Sequence, residues 1–555
     1  MTYIPNHEHQ FPDLQNDKKT FGKVIACSGA FATISILHEE NSEQWQVGCL
    51  ISIIVEENMV IALINSMETQ EQPSDENSHV NYLVHVELMG ELNVNQQGIK
   101  DFSRGISLYP PIGAMAYRIT SDDMRSIYNI QEEDTCVIGK MSHDHTIDVA
   151  ININSILSRH FAIVGSTGSG KSTAASLLLH KAIQHNPRLR IVILDPHSEF
   201  ANAFQDMSIK ITINTLKLPF WLMRLEEFCE VLFRGKKPVP EEVDVLYSLI
   251  PECKKMFSHH NGDTTSSHKR HIYENLTADT PIPYRISDLL KAIEERIGKL
   301  EGRNERPFLK ALRIRILSAI NDPLYHFLFP HNTINDCIIE TISHIFRVDD
   351  ETKPICVLEL SEISAEIINP VVSVLCRMAF EIAAFSNNTL NFLIICEEAH
   401  RYIPANPDMG FFPTQQAIGR IAREGRKYGC YLGIISQQPS EIDKTILSQC
   451  STIFAMRLTN SNDHDIIRSC IPNSSLSKIE ILSSIANREA IAFGEGITIP
   501  MQIRFLQVPK DQLPNAFSIS KNENLTSMTN KLNLNDIVDK MRGVIEKDVN
   551  PKNTF

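Results

Sequence analysis

The chain has 555 residues, enough for three or four domains at roughly 150 residues each, which excludes a single small module. Hydrophobic residues make up 43% and charged residues 22%, ordinary globular usage that excludes wholesale disorder and a fibrous repeat. With 53 Lys and Arg against 67 Asp and Glu the formal charge is -14, so binding of nucleic acid through bulk positive charge is excluded and any such contact must come from a local patch.

Residues 1–20 form a polar, acidic tail without the apolar core of a signal peptide. No apolar stretch approaches the ~20 residues of a membrane span, so the expected location is the cytoplasm, with no membrane partner. The 12 cysteines are scattered and none stand at C-x-x-C spacing, which reads as reduced thiols and not as zinc ligands or a disulfide frame. From 21 to 125 short β-branched runs at 23–26, 32–37, 46–55, 60–64 and 82–88 predict a small β-barrel. Residues 67–78 lack apolar periodicity and predict an exposed loop within it, and the Gly- and Pro-rich 107–113 closes it.

Beyond this the texture changes to continuous apolar runs at 161–164, 191–194, 355–360, 392–396, 431–435 and 453–456, alternating with helical patterns. Such runs predict a mainly parallel sheet with helices on both faces, divided into 126–216 and 346–510. Between them, 217–345 carries amphipathic stretches near 220–233, 240–257, 285–301 and 306–322, an inserted helical bundle. Its loop holds His268-Lys-Arg-His271, which reads first as a solvated cluster and second as a nucleic-acid contact. A helical tail, 511–555, completes the chain, and no internal repeat is visible.

The strand 161–164 runs into Gly165-Ser-Thr167-Gly168-Ser169-Gly170-Lys171-Ser172-Thr173 and a helical stretch, the full G-x-x-x-x-G-K-[ST] pattern in its strand–loop–helix setting. The glycines let successive N–H groups face phosphate oxygens, and the new helix adds its positive end. Lys171 would reach the β- and γ-phosphates of ATP, and Ser172 would supply an oxygen to Mg²⁺. A nucleotide triphosphatase also needs a carboxylate on the metal and a base for water. The apolar run ending in Glu397-Glu398 offers both, Glu397 for Mg²⁺ and Glu398 for the nucleophile.

Asp195 and Glu199 follow another apolar run, where they either line the nucleotide pocket or serve as turn and capping residues. Gln437 follows the run 431–435 and is either an amide that senses the γ-phosphate or a plain loop residue. Arg423 and Arg426 stand three apart, near one helical face: fingers for a neighbouring subunit's site, or a solvated basic helix end. Arg159, ahead of the phosphate-loop strand, is a further candidate or an exposed loop arginine.

These residues resemble the HerA branch of the HerA/FtsK ATPases, hexameric DNA-translocating motors. The resemblance rests on 158–172 (SRHFAIVGSTGSGKS), the D-P-H-x-E-aromatic stretch at Asp195, E-E-A-H at Glu397 and R-I-A-R-E-G-R-K-Y-G at Arg420, and spans most of the chain. It implies an α/β fold, a RecA-like P-loop core with an N-terminal β-barrel like that of ATP synthase subunits and an inserted helical bundle. It implies Arg423 as a trans finger, Arg159 as a cis phosphate contact, and a homo-hexamer with double-stranded DNA in its channel. It also implies a nuclease or sirtuin-like NADase docked on the barrel face, as in relatives from phage-defence complexes. The chain departs from the pattern at Ser198, where Gly is expected, and at Phe200, where Tyr is common. Two functions follow: a motor that drives DNA through a ring, or a nucleotide-switched scaffold that activates a partner enzyme. A transporter ATPase is disfavoured because no L-S-G-G-Q-type signature is present, and a small-molecule kinase would not need the barrel or the bundle.

Overall fold

A computed structural model describes residues 20–514 apart from 38–45, 57, 72–79, 95–99, 129–134, 143, 261–275, 299–304, 330–334, 362–364, 388 and 471–479. Most of the tail 1–20, the cluster His268–His271 and nearly all of 511–555 therefore lie outside the described residues.

Seven antiparallel strands form the N-terminal unit: β1 Thr20–Ser28, β2 Phe31–Leu37, β3 Leu50–Val55, β4 Asn58–Glu71, β5 Val80–Val94, β6 Lys100–Arg104 and β7 Met115–Arg118. They pair in the order β2-β1-β7-β3-β4-β5, and the β2–β5 pairing closes a six-stranded barrel with β6 added along the end of β5. Alternation builds its interior, since Ile51, Ile53, Val60, Ala62, Val84 and Val86 are buried while Ile54 points out. The loop expected at 67–78 is corrected in its first part: β4 continues to Glu71, paired with β5 up to Glu71↔Val80. Pairing with a neighbouring strand, and not apolar periodicity, holds that polar segment, a term that a pattern of side chains does not display. The boundary drawn at 125 falls within a helix, Ser121–Tyr128.

The second sheet has eleven strands: β8 Thr135–Met141, β9 Asp148–Asn152, β10 Phe161–Val164, β11 Leu189–Asp195, β12 Ser208–Ile211, β13 Ile355–Glu359, β14 Asn391–Glu397, β15 Cys430–Ser436, β16 Thr452–Ala455, β17 Glu489–Gly494 and β18 Met501–Phe505. Their order is β12-β13-β11-β14-β15-β10-β16-β17-β18-β8-β9. From β12 to β16 the sheet is parallel, and the remaining four strands are antiparallel. The parallel strands feed both faces. Phe161, Ile163, Ile191 and Ile193 enter one apolar cluster, and Ala162, Val164, Val192 and Leu194 enter the other, each of these side chains except that of Ala162 worth about 1.5–3 kcal/mol when fully buried.

Helices Leu225–Phe233, Pro240–His260, Ile286–Gly298, Arg306–Ile320 and Ile338–Phe346 occupy the insertion. Their apolar stripes, including Phe228, Leu246, Leu289, Ile293, Leu312 and Phe346, extend the second cluster. One expectation fails here. The stretch Glu366–Phe385 is long and apolar enough to cross a membrane by length and composition, although 72% of its most apolar window is buried inside the fold as a core helix.

The strands that matter most lie side by side as β11-β14-β15-β10. Because they are parallel, the chain leaves all four at one end of the sheet, at Asp195, Glu397, Ser436 and Val164. That edge is where ligands bind in open α/β sheets.

Candidate nucleotide site

The phosphate loop leaves β10 and enters the helix Lys171–His185. Gly168 and Gly170 take φ of +74° and +108°, left-handed backbone that a side chain would strain. At Gly165 a Cβ would stand 2.7 Å from Cβ of Met456, so close approach to β16 also demands glycine. Backbone bonds from the Gly165 N–H to the Ser436 carbonyl (3.2 Å) and from the Ser166 N–H to the Arg457 carbonyl (2.8 Å) tie the loop to both flanking strands.

Lys171 is buried and donates to the Ser166 carbonyl at 3.3 Å. Burial lowers the pKa of its ammonium, opposed by the nearby charges of Glu398, Glu199 and Glu397. The two carboxylates expected at the strand end are both there. Glu397 ends β14 and is 3% exposed, and its Oε2 has no hydrogen-bond partner among the described residues. Burial first, then Asp195, Glu199 and Glu398, push its carboxyl up to about 10. Glu398 follows in a left-handed turn, φ 48°.

Gln437 joins two of the other expected residues. Its Nε2 donates to Glu398 Oε1 at 2.5 Å and its Oε1 accepts from the Thr167 hydroxyl at 2.5 Å, so one amide spans from the phosphate loop to the second carboxylate. The other oxygen of Glu398 lies 3.4 Å from Nδ1 of His400. Such an arrangement can hold a polar group between Thr167, Lys171 and Glu398 and register its presence through the amide.

Asp195 and Glu199 divide the two roles left open for them. The Asp195 carboxylate accepts from the backbone N–H groups of His197 (3.2 Å), Glu199 (3.2 Å) and Phe200 (2.9 Å), so it folds the turn after β11. Glu199 instead faces the phosphate loop and accepts from the Ser172 hydroxyl at 2.7 Å. Ser198 has φ 56°, which explains why glycine suits that position, and its hydroxyl stands 2.8 Å from that of Ser361. Phe200 is fully buried, a position where a phenylalanine needs no partner for a hydroxyl.

The residues fit Mg²⁺. This hard cation keeps several waters and takes oxygen from one or two carboxylates and the substrate phosphates. Among the described residues no three His, Cys, Asp or Glu side chains gather into a cage that could hold a metal, but Ser172 and the orphaned Glu397 oxygen stand beside the loop that would present the phosphates.

Arg423, Arg426 and Arg159 are not brought to this end. The helix Phe412–Tyr428 runs back along the sheet and hands over at Gly429 to β15, so Arg423 and Arg426 are exposed at the end opposite the phosphate loop. Arg159 precedes β10 while the loop follows it. Four residues of strand, about 13 Å, separate the two. The cis contact to phosphates expected of Arg159 is therefore corrected: its guanidinium pairs with Glu495, and its carbonyl accepts from the Ser451 N–H.

Two groups escaped the sequence reading. His160, buried at φ 60°, accepts the Leu432 N–H on Nδ1 (2.9 Å) and donates from Nε2 to the Ala422 carbonyl (3.1 Å). It thus pins the start of β10 to β15 and to the residue before Arg423; burial lowers its pKa to about 4, keeping it neutral. Arg488 donates its backbone N–H to the Ser169 carbonyl (2.9 Å), and its Cγ lies 3.7 Å from where a Gly170 Cβ would stand. The lone His of S-R-H before an apolar run was a visible signal, whereas nothing local marks Arg488.

Several known proteins are similar to this chain. Residues 136–379 match the family model of the helicase HerA central domain. The chain is 25% identical over 423 residues to a DNA double-strand break repair helicase HerA of Pyrococcus furiosus, covering 71% of this chain and 72% of that one. It is 26% identical over 402 residues to the HerA helicase of Sulfolobus acidocaldarius, covering 71% and 73%. Among solved structures, VirB4 of Thermoanaerobacter pseudethanolicus shows a distant likeness, 16% identical with a TM-score of 0.48 over 69% of this chain and 99% of that one. With a HerA central domain matched over 136–379 and a complete phosphate loop facing the paired carboxylates that follow it, the chain is similar to the HerA helicases and is an ATP-hydrolysing P-loop enzyme.

Proposed function

We propose that this protein is a Mg²⁺-dependent motor that translocates on double-stranded DNA as a closed ring of six copies. The observation that carries the reading is the Gln437 bridge between Thr167 and Glu398, set in a chain whose exposed arginines lie at the far end of the same sheet. Lys171 and the loop N–H groups bind the phosphates, Ser172 and Glu397 hold the metal, and Glu398 accepts a proton from the attacking water. Gln437 loses a partner when the γ-phosphate leaves, and its amide passes that change to Glu398. Bound Mg²⁺ supplies neutralisation of charge on the β- and γ-oxygens.

Arg423 can stabilise a transferring phosphoryl group only in another copy, since its own phosphate loop is at the other end of the sheet. A head-to-tail contact of that kind generates a ring when its rotation closes. Arg159 and Arg426, at the same end, belong to that surface and not to the cis site. DNA translocation rests on the HerA relatives, which are named as DNA repair helicases. The barrel is proposed as the docking face for a nuclease or NADase partner, supported by its outward segment Leu108, Tyr109 and Ile112, 43%, 56% and 77% exposed. The buried carboxylate of Glu91 fixes that segment through the Ser107 hydroxyl and the Leu108 N–H.

Steady-state ATPase assays with and without linear duplex DNA test the reading. Wild type should show DNA-stimulated, Mg²⁺-dependent turnover and displace a triplex-forming strand from duplex DNA. Hydrolysis without displacement would leave an ATPase that is not a translocase.

A further inference from the structure

We propose that Glu199 is a carboxylate of the Mg²⁺ site, holding the ion through bound water beside Glu397 while Ser172 supplies a direct oxygen. The proposal rests on the ATPase reading of this site and adds a residue to it.

Four carboxylates converge on the phosphate loop, and two of them are already committed. Asp195 is consumed by three backbone N–H groups of its own turn, and Glu398 takes the Gln437 amide on Oε1, although its buried Oε2 has no hydrogen-bond partner among the described residues. The side chains of Glu199 and Glu397 take no backbone or amide donor among the described residues. Glu199 is the carboxylate in hydrogen-bond contact with the Ser172 hydroxyl, at 2.7 Å. A hydroxyl that binds a metal turns its lone pair to the ion and its proton away, so an acceptor already placed at the proton favours that orientation.

The second observation is independent of that contact. Glu397, 3% exposed, has an oxygen with no partner, and an unpaired buried carboxylate oxygen is costly unless something arrives to meet it. Mg²⁺ sheds water reluctantly, and carboxylates at one water's remove suit it better than a cage of direct ligands.

The test separates charge from scaffold. Glu199→Gln keeps an oxygen that can accept from Ser172 and removes the charge. Binding of a fluorescent ADP analogue to the full-length protein is followed in EDTA and across a Mg²⁺ titration, with Mn²⁺ binding read by electron paramagnetic resonance. Glu199→Gln should bind nucleotide in EDTA as wild type does, while the Mg²⁺ needed for half-maximal enhancement rises about 10- to 100-fold, the usual cost of a lost outer-shell partner. Glu199→Asp, with its charge on a shorter arm, should recover part of that shift. If Glu199→Gln follows the wild-type Mg²⁺ and Mn²⁺ titrations, the proposal is overturned and the ATPase reading stands. If both variants lose binding in EDTA as well, Glu199 is a loop anchor and the proposal is equally overturned. A wild type that binds no nucleotide at all would overturn the ATPase reading itself.

Discussion

The two ends of the parallel sheet are built from opposite materials. At the carboxyl end four acids and one lysine crowd into largely buried space and are wired together by Gln437, Thr167 and Ser172. At the amino end Arg423 and Arg426 stand exposed around a single buried, neutral pin, His160. The first end has the groups that bind and activate but not the exposed arginines, and the second has these arginines with no phosphate to meet. On the proposed reading the difference makes one chain the carrier of two half-sites, which would meet where one copy's amino end is set against another's carboxyl end.

The largest expected effect breaks the pairing from the arginine side. Arg423→Ala should lower ATP turnover by about 10³-fold or more with nucleotide affinity unchanged, as for a lost finger, measured by steady-state ATPase and by equilibrium binding. From the acidic side, Glu398→Gln should lower turnover by roughly 10²- to 10⁴-fold and still bind ATP, read by single-turnover kinetics with filter binding. Wild-type turnover in Glu398→Gln would mean that another group activates the water.

His160 sharpens the comparison through stability. Its folded pKa of about 4 lies below the ordinary 6.5, so the unfolded chain binds the extra proton. Its contribution is complete above pH 6.5 and is lost as pH falls toward 4, an effect of up to about 3 kcal/mol. His160→Ala should be less stable at neutral pH by about 2 kcal/mol, from the unpaired Ala422 carbonyl and Leu432 N–H, and should show a shallower acid dependence in urea melts at stepped pH. The smallest effect concerns Ser198: at φ 56°, Ser198→Val should cost about 1–3 kcal/mol while Ser198→Gly is tolerated, read from thermal midpoints.

How far the sequence reveals this molecule depends on whether an interaction is local. The phosphate loop was legible because its chemistry needs a fixed spacing within nine residues, and β10, β11, β13, β14, β15 and β16 because strands buried on both faces are unbroken apolar runs. The antiparallel strand β18 was not, since Gln502 and Arg504 alternate with its apolar residues, and β17 presents only the short run Ala490–Phe493. Gln437 was visible only as a strand-end amide; its partners lie 270 and 39 residues away. Arg159 misled for the opposite reason, because nearness to the loop in sequence is distance in space when a strand stands between them.

The claim that the two ends complete each other is tested most directly by mixing. Lys171→Ala subunits have intact arginines beside a dead loop, and Arg423→Ala subunits have an intact loop without the finger. ATPase activity is measured across mixing ratios, with subunit exchange verified by native mass spectrometry. Recovery that peaks in mixed rings, where an intact loop of one copy meets an intact arginine of the next, is the predicted result. Mixed rings that stay inactive at every ratio would contradict it.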